Sequence, residues 1–202
     1  MNKIVVPGDL LADAPISMEN ALIYDNKTYA AILGLYDDEK KTLIPLEGTW
    51  NARRGDTVIG IVDEVRLNSY SVDLNSPFKG MLISRFVSSR LQIGSVVEAK
   101  VKELDETKTV MLMYAKKLYG GKIIDIPPTK VPRVIGKGNT MIKQTTEGTN
   151  SSIIVGMNGR IWIKGGDVAM ATEAILRIVE EAHTEGLTER IAEMLKQGKK
   201  VV

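Results

Sequence analysis

The sequence has no cysteine and a single histidine, His183, among its 202 residues. The lack of cysteine excludes disulfides, thiolate metal sites and cysteine nucleophiles. His183 lies late in an amphipathic helical pattern beside Glu180 and Glu181, and an imidazole near a helix C-terminus usually complements the helix dipole at the surface. A catalytic triad or a histidine metal centre would need partner residues that the pattern does not show. We therefore expect a protein that is not an enzyme and has no catalytic residue, metal or cofactor.

Long hydrophobic runs are also lacking. No run approaches the length of about 20 apolar residues that crosses a bilayer, and the N-terminus has no basic segment followed by an apolar core. The sequence therefore predicts a soluble, cytoplasmic protein without a membrane partner. The formal net charge is only +2, so a surface for nucleic acid would have to be a local basic patch.

The most informative stretch, residues 131–166, begins with a short basic and apolar run, a loop of small residues and an amphipathic run. This order predicts a helix, a glycine-bearing loop and a second helix. Because the loop has little side-chain bulk, a phosphodiester backbone could approach its N–H groups and the N-terminus of the second helix. A structural helix-turn-helix without a ligand is an equal alternative. A nucleotide-binding P-loop is excluded, since Val131 and Gly138 stand where that motif needs Gly and Ser or Thr. The candidate contacts are Gly136, Lys137, Gly138, Asn139 and Lys143.

Two β-branched segments follow, joined by the tetrapeptide Gly156-Met157-Asn158-Gly159. The Asn-Gly pair is a strong signal for a tight hairpin turn. We therefore interpret Gly156, Asn158 and Gly159 as structural residues, and the nearby Trp162 as a packing anchor.

A long helical pattern over residues 168–182 then presents one apolar stripe, which would lie on the sheet, and a last amphipathic helix follows. This succession of elements resembles a KH domain, in which a GXXG loop clamps the nucleic-acid backbone beside a groove for about four bases. Asn139 stands at the fourth loop position instead of glycine, and Asn tolerates positive φ better than most residues.

Residues 55–117 predict five short strands with polar connections, which suits a small OB-type barrel. The strands are expected over residues 57–65, 70–74, 79–83, 97–102 and 109–114. The segments GDTVIGIVDEV, SVDL, KGMLISRF and IGSVVEAKVKELDETKTVMLMYA occur in this order and resemble the RNA-binding domain that is repeated in ribosomal protein S-one.

This resemblance implies a face for single-stranded RNA on the barrel. Where the family has aromatic residues for base stacking, this sequence has Asn68, Ser71 and Ile83, so the stacking platform is mostly absent. The basic residues near the expected loops would hold RNA through its phosphates, with little sequence preference. Ordinary solvated basic residues are the alternative interpretation. The candidate RNA contacts here are Arg66, Tyr70, Lys79, Arg85 and Arg90.

Residues 1–50 predict a small β meander, because apolar and β-branched runs alternate with polar turn clusters. The pair Gly120-Gly121 predicts a flexible joint after the barrel. The predicted fold class is therefore multi-domain. An N-terminal β docking module spans residues 1–50, a five-stranded OB-type β-barrel of the S-one type spans 55–117, and an α+β KH domain with an extra C-terminal helix spans 121–202.

These modules in this order, with VVPGD near the start, resemble the RNA-binding cap subunits of the archaeal exosome, of the ribosomal-RNA-processing-protein-four type. The segment GMNGRIWI is similar to the GXNG element of exosome cap proteins. The resemblance implies a non-catalytic subunit that captures single-stranded RNA, including adenine-rich tails, and passes its 3′ end inward for 3′-5′ degradation. Three copies would sit on a hexameric ring of phosphorolytic, RNase-PH-type subunits, attached through the N-terminal modules.

Two other functions stay open at this point. One is a freestanding RNA-binding protein that acts in translation or as an RNA chaperone. The other is a nuclease or phosphorylase in its own right, which would need acidic residues that hold magnesium. The pairs Asp63-Glu64 and Asp37-Asp38 stand in strand-end or turn patterns without convergent partners, so a solvated role is favoured for them.

Overall fold

The computed structural model describes residues 2–46, 48–87, 89–105, 109–182, 184 and 186–198. His183, which we expected at the surface, lies outside the described residues. The chain forms two compact units, Met1–Gly48 and Thr49–Val202. Within the described part of the chain, no helix is long and apolar enough to cross a bilayer.

The first unit contains two three-stranded antiparallel sheets, with strand orders β1–β5–β6 and β2–β4–β3. The predicted meander is wrong in its pairing, because β1 and β2 pair with β5 and β4 instead of with their neighbours in sequence. The apolar run over residues 28–36 bends at residues 31–33, so that it supplies one strand to each sheet. The strands are β1 Asn2–Val5, β2 Leu10–Ala12, β3 Ala21–Tyr24, β4 Lys27–Ala30, β5 Gly34–Asp37 and β6 Thr42–Pro45.

The first unit has its own small core, in which a buried threonine holds the long β2–β3 connection. Thr28 is fully buried, and its hydroxyl donates to the Ala14 carbonyl at 2.7 Å and accepts from the Ile16 N–H at 2.8 Å. These bonds satisfy backbone groups of a loop that has no sheet partner. The apolar core residues are Val5, Leu11, Ala30, Tyr36 and Leu43.

The second unit begins with a closed five-stranded barrel in the order β10–β11–β9–β8–β7, in which β7 also pairs with β10. The predicted OB-type barrel is thus confirmed, and its first strand has the predicted bounds. Trp50, which lies inside the predicted N-terminal module, packs in the barrel core and donates its indole N–H to Asp56 at 3.0 Å. The strands are β7 Thr57–Val65, β8 Ser69–Asp73, β9 Gly80–Ile83, β10 Val96–Leu104 and β11 Val110–Leu118.

The KH part of the second unit is a three-stranded sheet, ordered β12–β14–β13, with helices on one face. Successive side chains of β14 point to opposite faces of the sheet, so that Ile161 and Ile163 face the helices and Trp162 faces away from them. Asp167 caps α3 by accepting from the Met170 N–H at 2.9 Å. The elements are β12 Lys122–Asp125, α1 Val131–Ile135, α2 Thr140–Thr149, β13 Ser152–Val155, β14 Arg160–Lys164, α3 Val168–Glu180 and α4 Leu187–Gly198.

The C-terminal helix α4 is attached to α2 and α3 by packing and by one carboxylate. Leu195 packs closely on Gly148, where a Cβ would lie 2.8 Å from its Cδ1 atom. Glu181 accepts from Arg177 Nε at 2.7 Å and from Arg190 Nε at 2.8 Å. These two guanidinium groups, Arg177 first, hold the pKa of Glu181 below its ordinary value of 4.5. The carboxylate therefore favours the docked helix as long as it is ionised.

We predict that Glu181→Gln lowers the melting temperature at neutral pH and has little effect in strong acid. A depressed carboxyl pKa contributes stability above the unfolded-state pKa, and that contribution is lost as the pH falls through the folded-state pKa. Thermal unfolding of both proteins, followed from neutral pH to pH values well below 4.5, measures this difference. A difference that stays constant across the range would show that Glu181 acts through packing alone.

Candidate nucleic-acid interface

A groove of about 250 Å³ runs over the outer face of β8 and β9, and two of the predicted basic RNA contacts line it. Arg66 enters it from the end of β7, and Lys79 enters it just before β9. Thr109, which precedes β11, closes one side. The lining is mostly polar and also includes Glu64, Ser69, Ser71 and Met81.

Both cations of the groove are paired with carboxylates that precede them on β7. Arg66 donates to Glu64 through Nε at 3.0 Å and through a terminal nitrogen at 2.9 Å. Lys79 forms an ion pair with Asp63. These hydrogen bonds lower the pKa of Glu64 and of Asp63, and they raise the pKa of Arg66 and of Lys79. All four groups are therefore charged at neutral pH, and the groove carries less positive charge than its cations alone predict.

The other two basic candidates on the barrel do not line this groove. Arg85 lies in the 3₁₀ turn Ser84–Phe86, where its guanidinium stacks over the Phe86 ring at 4.9 Å. Arg90 is an exposed loop residue that precedes the buried Leu91. The structure thus brings Arg66 and Lys79 together and leaves the other two arginines outside the groove.

Tyr70 requires a correction. The sequence placed it among the RNA contacts, but only 8% of the residue is exposed and it packs in the barrel core. The cause is strand parity, because Tyr70 and Val72 point inward on β8 while Ser69 and Ser71 point outward. Tyr70 therefore forms the floor of the groove and has no free face on which a base could stack.

Sequence reasoning missed the acidic partners and Met81. A signal for the carboxylates was present, because Glu64 lies two residues from Arg66. Asp63 and Lys79 are adjacent only through strand pairing, so their contact could not be found from sequence spacing.

The predicted helix, glycine loop and helix are present, with α1 ending at Ile135, Gly136 as its C-cap and α2 beginning at Thr140. Gly136 has φ 75°, and a Cβ there would lie 2.7 Å from the Met141 Cβ atom, so only glycine fits. Gly138 and Asn139 follow in the left-handed region at φ 62° and 64°. Asn139 therefore takes the conformation that a glycine would take.

The loop presents exposed groups of the kind that hold an anion. Lys137, Gly138 and Asn139 are all exposed. The side chain of the N-cap residue Asn139 does not accept from the first N–H groups of α2, and such N–H groups at a helix N-terminus can bind an anion. Lys143, on the first turns of α2, lies 3.8 Å from Glu147 in an exposed pair of the kind that contributes little to stability.

The GXNG element forms the predicted tight hairpin turn, in which the Gly159 N–H donates to the Gly156 carbonyl at 3.0 Å, and it also has a second structural role. Residues 156–159 form the whole loop between β13 and β14, and only Gly159 in it has positive φ, at 84°. Asn158 is fully buried, and its side chain crosses to the barrel. Its Oδ1 accepts from the Ile59 N–H at 3.2 Å, and its Nδ2 donates to the carbonyls of Ile59 and Leu74 at 2.8 Å each.

Two glycines and one arginine support this contact between the KH sheet and the barrel. A Cβ on Gly156 would lie 2.3 Å from Asn158 Oδ1, and one on Gly159 would lie 2.3 Å from the Ile126 carbonyl oxygen. Arg160 donates to the Asp73 carbonyl at 2.8 Å and to its carboxylate at 2.6 Å. The barrel and the KH hairpin are thus joined by several buried polar bonds.

Apolar packing completes the same interface. Trp162, Ile59 and Leu118 form a small core between the barrel and the KH sheet. The Trp162 indole N–H donates to the Gly120 carbonyl at 2.7 Å, which confirms its role as a packing anchor. Gly120 and Gly121, which we predicted as a flexible joint, pass beneath the indole, and a Cβ on Gly121 would lie 2.7 Å from Trp162 Nε1. The joint is therefore held by the interface.

The chain matches two family models along its length. One describes the exosome RNA binding protein RRP4 N-terminal domain and matches residues 2–47, and the other describes a KH domain and matches residues 121–169. The exosome complex component Rrp4 of Pyrococcus furiosus is 38% identical, over 96% of this chain and 82% of its own length. That of Thermoplasma volcanium is 38% identical, over 98% of this chain and 91% of its own length. This chain belongs to the Rrp4 family of exosome components.

A solved structure agrees with this assignment. A chain described as an exosome complex RNA-binding protein superposes with a TM-score of 0.69 at 34% identity, covering 76% of this chain and 99% of its own length. The family membership fits the order of an N-terminal domain, a five-stranded barrel and a KH domain. Among the residues of this chain that the structure describes, no group of three or more His, Asp and Glu could hold a metal ion.

We predict that Asn158→Ala destabilises the second unit by about 2–4 kcal/mol, because buried backbone groups of Ile59 and Leu74 lose their partners at about 1–3 kcal/mol each. Asn158→Asp should cost more, since it places a charge against two carbonyl oxygens. Urea unfolding measures both. The matched control is Asn51→Ala, which removes an exposed amide and should change stability by less than about 0.5 kcal/mol. Equal stabilities for Asn158→Ala and the control would contradict the inter-domain role.

Proposed function

We propose that this protein is a non-catalytic RNA-binding cap of the exosome, which captures single-stranded RNA and feeds its 3′ end into a phosphorolytic ring for 3′-5′ degradation. The observation that carries this proposal is the Asn158 interface. It fixes a barrel with a cation-bearing groove against a KH domain with an exposed glycine loop. A single RNA strand can contact two such sites on one rigid support without the entropy cost of ordering a hinge.

The groove chemistry suits phosphates more than bases. Arg66 and Lys79 are charged and exposed on their side chains, and the groove has no free aromatic face. A phosphate that binds Arg66 must compete with Glu64 for the same nitrogens, so each contact is weak and reversible. The contacts proposed for the KH loop are Gly136, Lys137, Gly138 and Asn139 with Lys143 beyond them, and the outlying Arg85 and Arg90 would add long-range attraction.

The non-catalytic part of the proposal rests on the acidic residues. Asp63 and Glu64 are both engaged by cations, and Asp37 accepts from the N–H groups of Glu39 and Lys40 in a turn. None of these carboxylates converges with another pair in the described chain to form a site for magnesium.

The first unit supports docking to a protein partner. In one sheet Ile4 stands opposite Leu35, and Leu35 opposite Ile44, so the three side chains form one row. The outer two are 65% and 54% exposed. A second apolar row runs across the other sheet from Leu10 through Tyr29 to Leu22. Exposed apolar rows of this kind mark protein interfaces, and we propose that they attach three copies of the chain to a hexameric ring of RNase-PH-type subunits.

We predict that the double substitution Ile4→Asp and Ile44→Asp abolishes co-elution with the ring subunits and leaves the affinity for RNA unchanged. The two charges interrupt a row that must be desolvated on docking. The mass of the mixed complex in solution measures the effect. The control Lys40→Asp places a negative charge in an exposed turn outside both rows and should leave assembly intact. Co-elution of the double variant at the wild-type level would rule out this docking row. If the wild-type chain binds RNA but does not join the ring, a freestanding RNA-binding protein is favoured.

We also predict that Glu64→Gln strengthens RNA binding, whereas Arg66→Gln weakens it. Removing the carboxylate frees Arg66 to neutralise a phosphate, so the plot of log affinity against log salt should steepen by about 0.7 in the first variant and flatten by about 0.7 in the second. Fluorescence anisotropy of a labelled single-stranded RNA over a salt series gives both slopes. The control Arg54→Gln removes an exposed arginine that does not line the groove. Equal losses for Arg66→Gln and Arg54→Gln would mean that the groove is not the binding surface.

A further inference from the structure

Tyr114 is an exposed aromatic residue in a backbone conformation that tyrosine rarely adopts. It is 72% exposed on β11 and has φ 55°, in the left-handed region where glycine and asparagine are favoured. Such conformations concentrate at functional positions because the surrounding structure must stabilise them. Tyr114 lies outside the groove lining described above.

A β-bulge produces this conformation. Lys100 pairs with Met113 and Glu98 pairs with Lys116, so Tyr114 and Ala115 together oppose a single residue, Ala99, on β10. The first position of such a bulge, in the left-handed region, is normally a glycine. Ala115 points into the core, and the bulge turns the Tyr114 ring outward. Bulges re-aim side chains in this way beside binding sites.

The charges around Tyr114 suit a polyanion. Lys116 lies two residues along the strand, about 7 Å away, and Lys100 lies on the neighbouring strand beside the bulge. Both lysines are exposed, and in the part of the chain that the structure describes neither takes part in an ion pair. Glu98, opposite Lys116, and Glu103, opposite Met111, are the acids of β10 on this surface, and Glu103 is paired with Lys102 at 2.8 Å. Unlike the cations of the groove, Lys100 and Lys116 are free to meet a phosphate.

The surface around Tyr114 is continuous with the groove. Met81, which lines the groove on β9, stands directly opposite Met111 on β11, and Met113 follows two residues later on the same face. Methionine side chains are flexible and polarizable, and they pack against aromatic rings and bases without fixed geometry. Tyr114 is therefore reached from the groove along an outward strip of three methionines, over about 17 Å of strand from Thr109.

We propose that Tyr114 is a base-stacking site for single-stranded RNA, with Lys100 and Lys116 binding the adjacent phosphates, as an extension of the barrel groove. The inference rests on the proposed RNA-binding function and deepens it. It supplies the stacking surface that the groove itself lacks. An exposed ring offers its π face to any base, so the site favours single strands over duplexes and has little sequence preference.

The test compares Tyr114→Gly, Tyr114→Phe and wild-type full-length protein. Each is titrated by anisotropy with a fluorescein-labelled oligoadenylate about 12 nucleotides long, within the site sizes of OB folds. We expect Tyr114→Gly to weaken binding roughly 5- to 150-fold, which corresponds to one lost base stack. Tyr114→Phe should bind like the wild type, because the ring is kept. Tyr114→Gly should also melt at or above the wild-type temperature, since glycine suits the left-handed bulge position.

The control is Tyr119→Ala, which removes an exposed tyrosine that is already covered by the Lys117 ammonium at 5.3 Å, and it should leave affinity unchanged. Wild-type affinity in Tyr114→Gly would overturn the stacking site alone and leave the proposed function standing. A wild-type chain that does not bind the oligonucleotide would overturn both. If Tyr114→Gly no longer co-elutes with the hexameric ring but binds RNA with unchanged affinity, the Tyr114 side chain contacts a protein, and the proposal is also overturned.

Discussion

The buried side chain of Asn158 is the interaction on which the second unit depends. Its amide replaces a sheet partner for the backbone of Ile59 on β7 and also binds the carbonyl of Leu74. A side-chain amide has an acceptor oxygen and two donor N–H groups, so it can satisfy an N–H and two C=O groups together. Arg160 and Trp162 then add a charged and an apolar contact to the same surface. The loop of the KH hairpin thus supports the backbone of the barrel as well as joining β13 and β14.

This arrangement constrains where RNA can be held. A hairpin loop buried against the barrel is unavailable to a ligand, so the candidate contact of the KH domain is its exposed loop around Gly138. The barrel likewise uses part of its β7 edge for the hairpin. Its open surface therefore begins at β8 and β9 and extends onto β11.

The sequence predicted the elements of the second unit well, because strand alternation and helix–glycine–helix order are local signals. It failed where the outcome depends on long-range pairing. Asn158-Gly159 forms the tight turn that its signature predicts, but the hydrogen bonds of Asn158 to a backbone almost one hundred residues away could not be predicted. Tyr70 was assigned to the surface because the sequence does not show which alternate residues of β8 point into the barrel. The β1–β5 pairing of the first unit was missed for the same reason.

The pairing of cations with acids explains how a chain with a net charge of only +2 could bind and release the phosphates of a polyanion. Arg66 is held in position by Glu64 before any phosphate arrives, so it loses little side-chain entropy on binding, and the same carboxylate limits how tightly a phosphate is held. A surface that passes a strand onward must release each phosphate after binding it. Weak, pre-oriented contacts on a rigid support meet this requirement better than a strongly basic patch, which would retain the strand.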